Sequence, residues 1–266
     1  MSNQTFRNLH KGPDVLLLPN AWDAGSARLI ESLGAKAIAT TSAGVAWSRG
    51  YSDGDVPPLE QLLAAVREIE RVIRVPLTVD IEGGYSDDPV AVAQVVAGLI
   101  DAGAVGINIE DGAGSPELLN AKIEAAGEIS ARANVDLFVN VRTDVYLRAL
   151  ETGDAAAAEV IRRAEIYRTA GCDGIFVPGL ADGSSIEAIA AAIDPLPLNI
   201  MLVPGLPSIE VLRTHGVRRL SAGAAIAQAA LGTTSRLAND FLAGSWDDMF
   251  SMAADYSATN RLFPGN

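Results

Sequence analysis

Short apolar segments alternate with longer, alanine-rich amphipathic segments along almost the whole chain. The predicted strands are Val15–Leu18, Lys36–Thr40, Leu77–Asp80, Val105–Ile109, Leu137–Val141, Gly174–Val177, Leu198–Leu202 and Arg218–Leu220. The predicted helices are Ala24–Leu33, Leu59–Arg74, Pro89–Ala102, Asn120–Ala133, Ala155–Ala170, Ser184–Ile193, Ser208–Thr214 and Ala222–Leu242. Near-continuous apolar strands separated by helices are typical of a buried parallel sheet. The alternation therefore predicts eight consecutive βα units.

A weak internal repeat supports the same interpretation. Leu33–Ile38, Ala102–Ile107 and Ala170–Ile175 share one pattern, and His215–Leu220 is a looser copy. In each, a glycine can end a helix just before the next strand. A doubly wound open sheet could show the same punctuation, but no G-x-G-x-x-G follows the first strand. We therefore expect an α/β fold, a single (β/α)8 TIM barrel over residues 1–266.

Composition limits the partners that such a barrel can have. The net charge of −13 argues against nucleic acid and anionic membrane surfaces, so an anionic substrate needs local positive charge. The single cysteine, Cys172, excludes an intrachain disulfide. Neither a signal-peptide core nor an apolar run of membrane-spanning length is seen, so we expect a cytoplasmic protein.

The last segment is too apolar for a solvated tail. We expect residues 245–266 to form a C-terminal extension that packs on the barrel or on a neighbouring subunit. Its apolar residues are Trp246, Met249, Phe250, Met252, Tyr256, Leu262 and Phe263.

Acidic residues follow the predicted strands where a barrel has its active site. Asp80 ends the third predicted strand, Glu82 follows two residues later, Glu110 follows the fourth, and Asp53 lies in the loop after the second. Asp80 and Glu82 point the same way if extended geometry persists past the strand end. Converging carboxylates favour a hard divalent cation, Mg²⁺ or alternatively Mn²⁺. A cluster that shares protons, or solvated charges at loop ends, would also fit the pattern.

Arg142 follows the fifth apolar strand, where a charge is costly unless it meets an anion. Its planar fork suits a substrate carboxylate, although an ion pair with Glu110 or Asp144 is the structural alternative. Thr41, Ser42 and Ala43, with the glycine that follows them, can present N–H groups to an anion.

Other candidate residues have structural interpretations. Trp22 either walls the site or fills the core, and Asp23 is expected to cap a helix. Cys172 is expected to be a buried thiol at the far face of the barrel. Neither His10 nor His215 is placed as a base or ligand, which disfavours zinc and Ser-His-Asp chemistry.

Together these residues resemble the isocitrate lyase / phosphoenolpyruvate mutase superfamily, from about Leu17 to Leu231. The similarity rests on four stretches, Pro19–Ala24, Asp80–Tyr85, Ile107–Asp111 and Val141–Asp144. It implies that Asp80 binds Mg²⁺, with Glu82, Glu110 and Asp53 acting through its waters. It also implies that Thr41, Ser42, Ala43, Arg142 and Asn199 bind the substrate, and that the protein forms a homotetramer, or at least a dimer.

The departures from the family pattern affect the expected chemistry. In the isocitrate and methylisocitrate lyases of the family that this chain resembles, a loop with lysine and cysteine stands at the place of Gly112–Pro116. Pro178 stands where relatives have a histidine or glutamate. Tyr85 is then our candidate proton donor, beside Arg142 and Glu110 as catalytic residues. The leading hypothesis is a Mg²⁺-dependent lyase or decarboxylase acting on a small α-keto or 2-hydroxy di-acid through an enolpyruvate-like intermediate. A phosphonopyruvate-type C–P mutase or hydrolase and a non-catalytic metal- and anion-binding protein are the alternatives.

Overall fold

A computed structural model describes residues 3–263, and its centre is a ring of parallel strands. The strands are β1 (Leu16–Leu18), β2 (Asn20–Ala21), β3 (Ile38–Thr40), β4 (Leu77–Asp80), β5 (Gly106–Glu110), β6 (Phe138–Arg142), β7 (Gly174–Val177), β8 (Leu198–Met201) and β9 (Val217–Ser221). Their order is β1-β9-β8-β7-β6-β5-β4-β3-β2, and every pairing is parallel.

The first barrel strand is divided at Pro19. Its first part, β1, pairs with β9, and its second part, β2, pairs with β3. Proline has no N–H to donate to a ladder, which accounts for the interruption, while the Pro19 carbonyl still accepts from Ala39 N at 3.2 Å. The two parts together close the ring, so the predicted (β/α)8 barrel is confirmed.

Helices surround the ring in chain order. They are α1 (Asn3–Asn8), α2 (Ala24–Ser32), α3 (Ser42–Ser48), α4 (Leu59–Val72), α5 (Pro89–Asp101), α6 (Pro116–Arg132), α7 (Gly153–Thr169), α8 (Gly183–Ile193), α9 (Ile209–Thr214), α10 (Ala225–Leu242), α11 (Asp247–Met252) and α12 (Tyr256–Arg261). None of the helices within residues 3–263 is long and apolar enough to cross a membrane.

The core has two parts on opposite faces of the ring. The larger lies between the strands and the outer helices and includes Val79, Ile107 and Val141. The smaller fills the lower end of the barrel, where Phe6 of α1 is completely buried beside Leu18 and Phe138. Gly106 makes room for this plug, since a Cβ there would stand 2.9 Å from Phe6 Cε1. Helix α1 therefore closes the barrel from below, and the upper mouth is the open end at which the strands finish.

The C-terminal segment is weakly packed. Ala227 is the only buried residue of α10, and α11 and α12 bury none of their described residues. Leu242, Phe250 and Tyr256 are each at least 80% exposed. A hydrogen bond joins the end of this segment to the barrel, from Arg28 Nε of α2 to Leu262 O at 3.0 Å. Residues 264–266 of the predicted extension lie outside the described residues.

Candidate active site

Three charged side chains stand on consecutive strand ends at the upper mouth. Asp80, Glu110 and Arg142 are the last residues of β4, β5 and β6. Glu110 and Arg142 are direct register partners, and Arg142 Nη1 lies 2.6 Å from Glu110 Oε2. The parallel register therefore brings together the acids and the arginine that the sequence analysis selected.

Glu82 reaches the same mouth by a different route from the one expected. Strand geometry does not persist beyond Asp80, because Glu82 lies in a turn with a left-handed backbone, φ 51°. The expectation that alternation would align Asp80 and Glu82 is therefore wrong. Glu82 is nevertheless buried, and its Oε2 accepts a hydrogen bond from Asp55 N at 2.6 Å.

Backbone strain is concentrated around this turn. Asp55, Glu82 and Tyr85 all have φ between 51° and 64°, a backbone region that residues other than glycine rarely adopt. Tyr85 N donates to Asp55 Oδ1 at 3.3 Å, so the two loops hold each other in this conformation. Such strain persists only where surrounding contacts impose it, and it is frequent at functional sites.

The acids are crowded into a poorly hydrated space. Burial raises the pKa of Glu82 to about 7, and the charges of Asp53, Asp55 and Asp80 add to the effect. Burial raises the pKa of Glu110 to about 8 although Arg142 opposes it. The pKa of Asp80 is also raised by burial, against the opposing charge of Arg142. Without a cation, these carboxyl groups therefore retain their protons to higher pH than exposed ones do.

The arrangement of these residues suits magnesium better than a metal ion that needs a complete set of protein ligands. Within residues 3–263, no three acidic, histidine or cysteine side chains are arranged as a ready-made metal site. Asp53 is exposed and affects the cluster through its charge. Magnesium usually retains several waters and takes only one or two carboxylates. Asp80 as a direct ligand, with the other acids behind water molecules, is consistent with both observations.

Arg142 is held by two carboxylates. Its Nε and Nη2 form a bidentate pair with Asp144, at 2.6 and 3.1 Å, while Nη1 faces Glu110. Both ion pairs considered as the structural alternative are thus present. Substrate contact by Arg142 stays a prediction, and Asp144 fixes the plane of the guanidinium that would make it.

The Thr41–Gly44 segment forms the first turn of α3 and not a flexible loop. Ser42 N lies 3.4 Å from Asp80 Oδ2, and Thr40 Oγ1 accepts from Asp80 N at 2.8 Å. Ala43 is buried in the same turn. A Cβ on Gly44 would stand 2.8 Å from Trp22 Cβ, so Trp22 packs directly against this helix. The segment therefore lies beside Asp80, where its N–H groups could meet a ligand.

The sequence analysis missed a polar layer inside the barrel. Arg219 of β9 is completely buried, and its Nη2 donates to Asn108 Oδ1, which also accepts from Asn140 Nδ2. The burial of Arg219 could have been predicted from the alternation of side chains along β9, since residues 219 and 221 lie on the same face of the strand. Asn199, which the resemblance implied to bind the substrate, is the second residue of β8 and lies below the strand end, with its Oδ1 3.5 Å from Ser221 Oγ.

The residues excluded from catalysis lie away from the mouth. Cys172 is buried, and burial raises the pKa of its thiol to about 12. His10 stacks on Phe138 beneath the barrel, where burial lowers its pKa to about 3. His215 is 3.3 Å from Glu187. Asp23 caps α2, as predicted.

Comparison with known proteins gives consistent matches. The sequence model of the phosphoenolpyruvate phosphomutase family matches residues 6–242. A Burkholderia cenocepacia protein provisionally assigned as a phosphonomutase has 39% identity and a TM-score of 0.85, with 90% of this chain and 99% of that one covered. The oxaloacetate decarboxylase of Paraburkholderia xenovorans is 32% identical over 82% of this chain and 75% of its own. The fold is shared with phosphonopyruvate hydrolase in a complex with oxalate and Mg²⁺, at 23% identity, a TM-score of 0.84, and coverage of 98% and 95%.

Proposed function

The chain belongs to the phosphoenolpyruvate phosphomutase family, and from this membership we propose that it is a Mg²⁺-dependent lyase or decarboxylase. The substrate class is a small α-keto or 2-hydroxy di-acid in which one carbon–carbon bond is cleaved. The observation that carries the proposal is the crowding of Asp80, Glu82 and Glu110 against Arg142 at one mouth. The oxaloacetate decarboxylase match supports the choice of a di-acid.

Each residue has a defined task in this reaction. Asp80 would hold the cation, whose charge stabilises the oxygen on which negative charge develops. Arg142, oriented by Asp144, grips a substrate carboxylate, and the N–H groups of Ser42 and Ala43 meet an oxygen on the opposite side.

Tyr85 is the proposed proton donor to the carbon released from the broken bond. Its pKa is raised by burial and by the charge of Glu82, so the hydroxyl keeps its proton until an enolate-type intermediate forms. The half-buried Tyr85 stands in the strained turn beside Glu82.

An assay of substrate classes tests the proposal. With Mg²⁺ present, we expect pyruvate or an analogue to be released from a keto or hydroxy di-acid, and the activity to disappear in Tyr85→Phe or Asp80→Ala. Turnover that is unchanged after removal of Mg²⁺ by a chelator would contradict the proposal.

C–P chemistry is the second candidate, and the phosphonomutase match favours it. Inorganic phosphate release from phosphonopyruvate would identify a hydrolase, and conversion to phosphoenolpyruvate would identify a mutase. Tight oxalate binding without turnover of any of these compounds would indicate a non-catalytic family member.

A further inference from the structure

We propose that Arg148 forms a second anion subsite, which receives the distal carboxylate of a di-acid whose other end lies on Arg142. This inference rests on the proposed function and adds the reason why a di-acid would be chosen over a mono-acid. It concerns the loop that follows β6 and a cavity beside the acidic cluster.

Asp144 places the two arginines side by side. Its Oδ1 and Oδ2 accept from Arg142, and Oδ2 also accepts from Arg148 Nε at 2.9 Å. The Asp144 carboxylate is completely buried, so it is a rigid bridge and not a mobile surface contact. The two guanidinium groups therefore bind the same buried carboxylate.

Arg148 opens onto a cavity next to the proposed reaction centre. The cavity has a volume of about 290 Å³, and its lining includes Glu82, Glu110 and Arg148 as well as three further acids, Asp55, Asp87 and Asp111. Arg142 is not part of this lining, but its ion-pair partner Glu110 is, so a dicarboxylate held by Arg142 would reach Arg148 past Glu110.

The terminal N–H groups of Arg148 form no hydrogen bond with the described residues. Lys122, the other cation of its lining, donates to Gly83 O at 2.8 Å and faces Asp87 at 3.4 Å, with a side chain only 6% exposed. Arg148 is 50% exposed, and among the described residues its hydrogen bond is through Nε alone. Its two terminal nitrogens therefore remain for an anion, and their planar arrangement suits a carboxylate.

The short loop after β5 keeps Arg148 accessible. Gly112 has φ 53°, and a Cβ there would lie 3.7 Å from Arg148 Nη2, in ordinary contact. The loop therefore passes against one face of the guanidinium without covering its outer edge. A residue with a side chain would be strained at this backbone angle, so Gly112 suits this close path.

Calorimetry with three ligands tests the subsite in the presence of Mg²⁺. Oxalate has no carboxylate beyond the pair expected on the cation and Arg142, while malate and lactate differ by the distal carboxylate. We expect wild-type protein to prefer malate over lactate, and Arg148→Gln to weaken malate binding about tenfold while leaving lactate and oxalate unchanged. Arg148→Lys should be intermediate, because it keeps the charge and loses the planar fork.

Arg162→Gln is the matched control, since Arg162 is 53% exposed and its Nε contacts a carboxylate, Glu159, away from the mouth. Equal binding of malate and lactate by wild type, or loss of oxalate binding together with malate in Arg148→Gln, would overturn the subsite. Failure of wild-type protein to bind oxalate at all would instead contradict the proposed function and remove the basis for the subsite. Unfolding curves confirm that each variant is folded.

Discussion

Asp80 lies between the first turn of α3 and the other acids of the site. Its backbone N–H is fixed by Thr40, its carboxylate meets Ser42 N, and its charge acts on Glu82 and Glu110. From this position we predict that Asp80 holds the cation.

We expect Asp80→Ala to weaken Mg²⁺ binding at least about 100-fold. Mutating a residue that only hydrogen-bonds to a metal ligand already lowers metal affinity by up to about 100-fold. Calorimetric titration measures the affinity. Asp87→Ala is the control, since Asp87 has the same charge at the edge of the neighbouring cavity and is 91% exposed. Equal affinity in the two variants would remove Asp80 from the metal site.

Arg142→Lys tests the bidentate grip on the substrate. Lysine keeps the charge but cannot match both oxygens of Asp144 or of a carboxylate, so we expect KM to rise by about 10- to 100-fold. Steady-state kinetics measures the change, with Arg162→Lys as the control. Unchanged KM in Arg142→Lys would mean that Arg142 serves the ion pairs with Glu110 and Asp144 alone.

The raised pKa values of Glu82 and Glu110 predict the pH dependence of stability. Above the ordinary pKa of a glutamate, the unfolded chain has lost these protons while the metal-free folded protein still holds them. The free energy of unfolding should therefore fall as pH rises from about 5 through the folded values near 7 and 8.

Urea denaturation at several pH values measures this decline, which saturating Mg²⁺ should reduce. Glu110→Gln removes one titrating group and should flatten the curve, whereas the exposed Glu117→Gln should not. A free energy of unfolding that increases over this pH range would contradict the crowded-carboxylate description.

At the scale of elements, helix α1 completes the barrel. Phe6 meets Phe138 edge to face, with ring centroids 5.5 Å apart, and Arg7 pairs with Asp136 and Asp173. We expect Phe6→Ala to destabilise the protein by about 3–5 kcal/mol, since it empties a fully buried position. Val90→Ala, at a 65% exposed position, should change the free energy of unfolding by less than about 0.5 kcal/mol. Urea denaturation compares the two variants, and equal stability would mean that α1 does not close the barrel.

The sequence predicted the long, periodic elements well. Strands β4 and β7 have the predicted bounds, and α2 and α5 end within one residue of prediction. Helix α6 begins at Pro116 and not Asn120, because Ser115 caps it and a proline fits its first turn. Helices α1 and α3 were missed, since each is shorter than two full turns and α3 contains Gly44, a residue typical of loops.

For the site, periodicity predicted which strand ends carry Asp80, Glu110 and Arg142. It could not predict the turn at Glu82, because a left-handed backbone at a glutamate depends on tertiary contacts with Asp55. Arg219 was missed for a related reason. A charged residue within a strand suggests an exposed face, although alternation along β9 places Arg219 on the inward side, and the closed barrel with Asn108 opposite shows that it is buried.

At the scale of the whole molecule, the C-terminal helices expose several large apolar side chains among residues 3–263. Phe241, Leu242 and Phe250 are exposed there. A separate apolar cavity of about 590 Å³, lined by Leu17, Leu29 and other apolar residues, opens beside α2. We propose that a second copy of this chain covers these surfaces, which gives a dimer or tetramer.

Light scattering after size-exclusion chromatography measures the assembly. We expect wild-type protein to be an oligomer and Phe250→Asp to shift it toward the monomer, because a buried charge opposes association. Val90→Asp, on the exposed side of α5, should leave the mass unchanged. A wild-type monomer at micromolar concentration would contradict the proposal.

The left-handed turn that holds Glu82 and Tyr85 also affects any attempt to engineer a more thermostable protein. Glycine at position 82 or 85 would relax the main chain, and a screen for heat resistance alone would favour that exchange. The same exchange would delete the side chains to which we assign cation binding and proton delivery. Thermal stability and turnover should therefore be selected together at these two positions, because a substitution there that improves one property lowers the other.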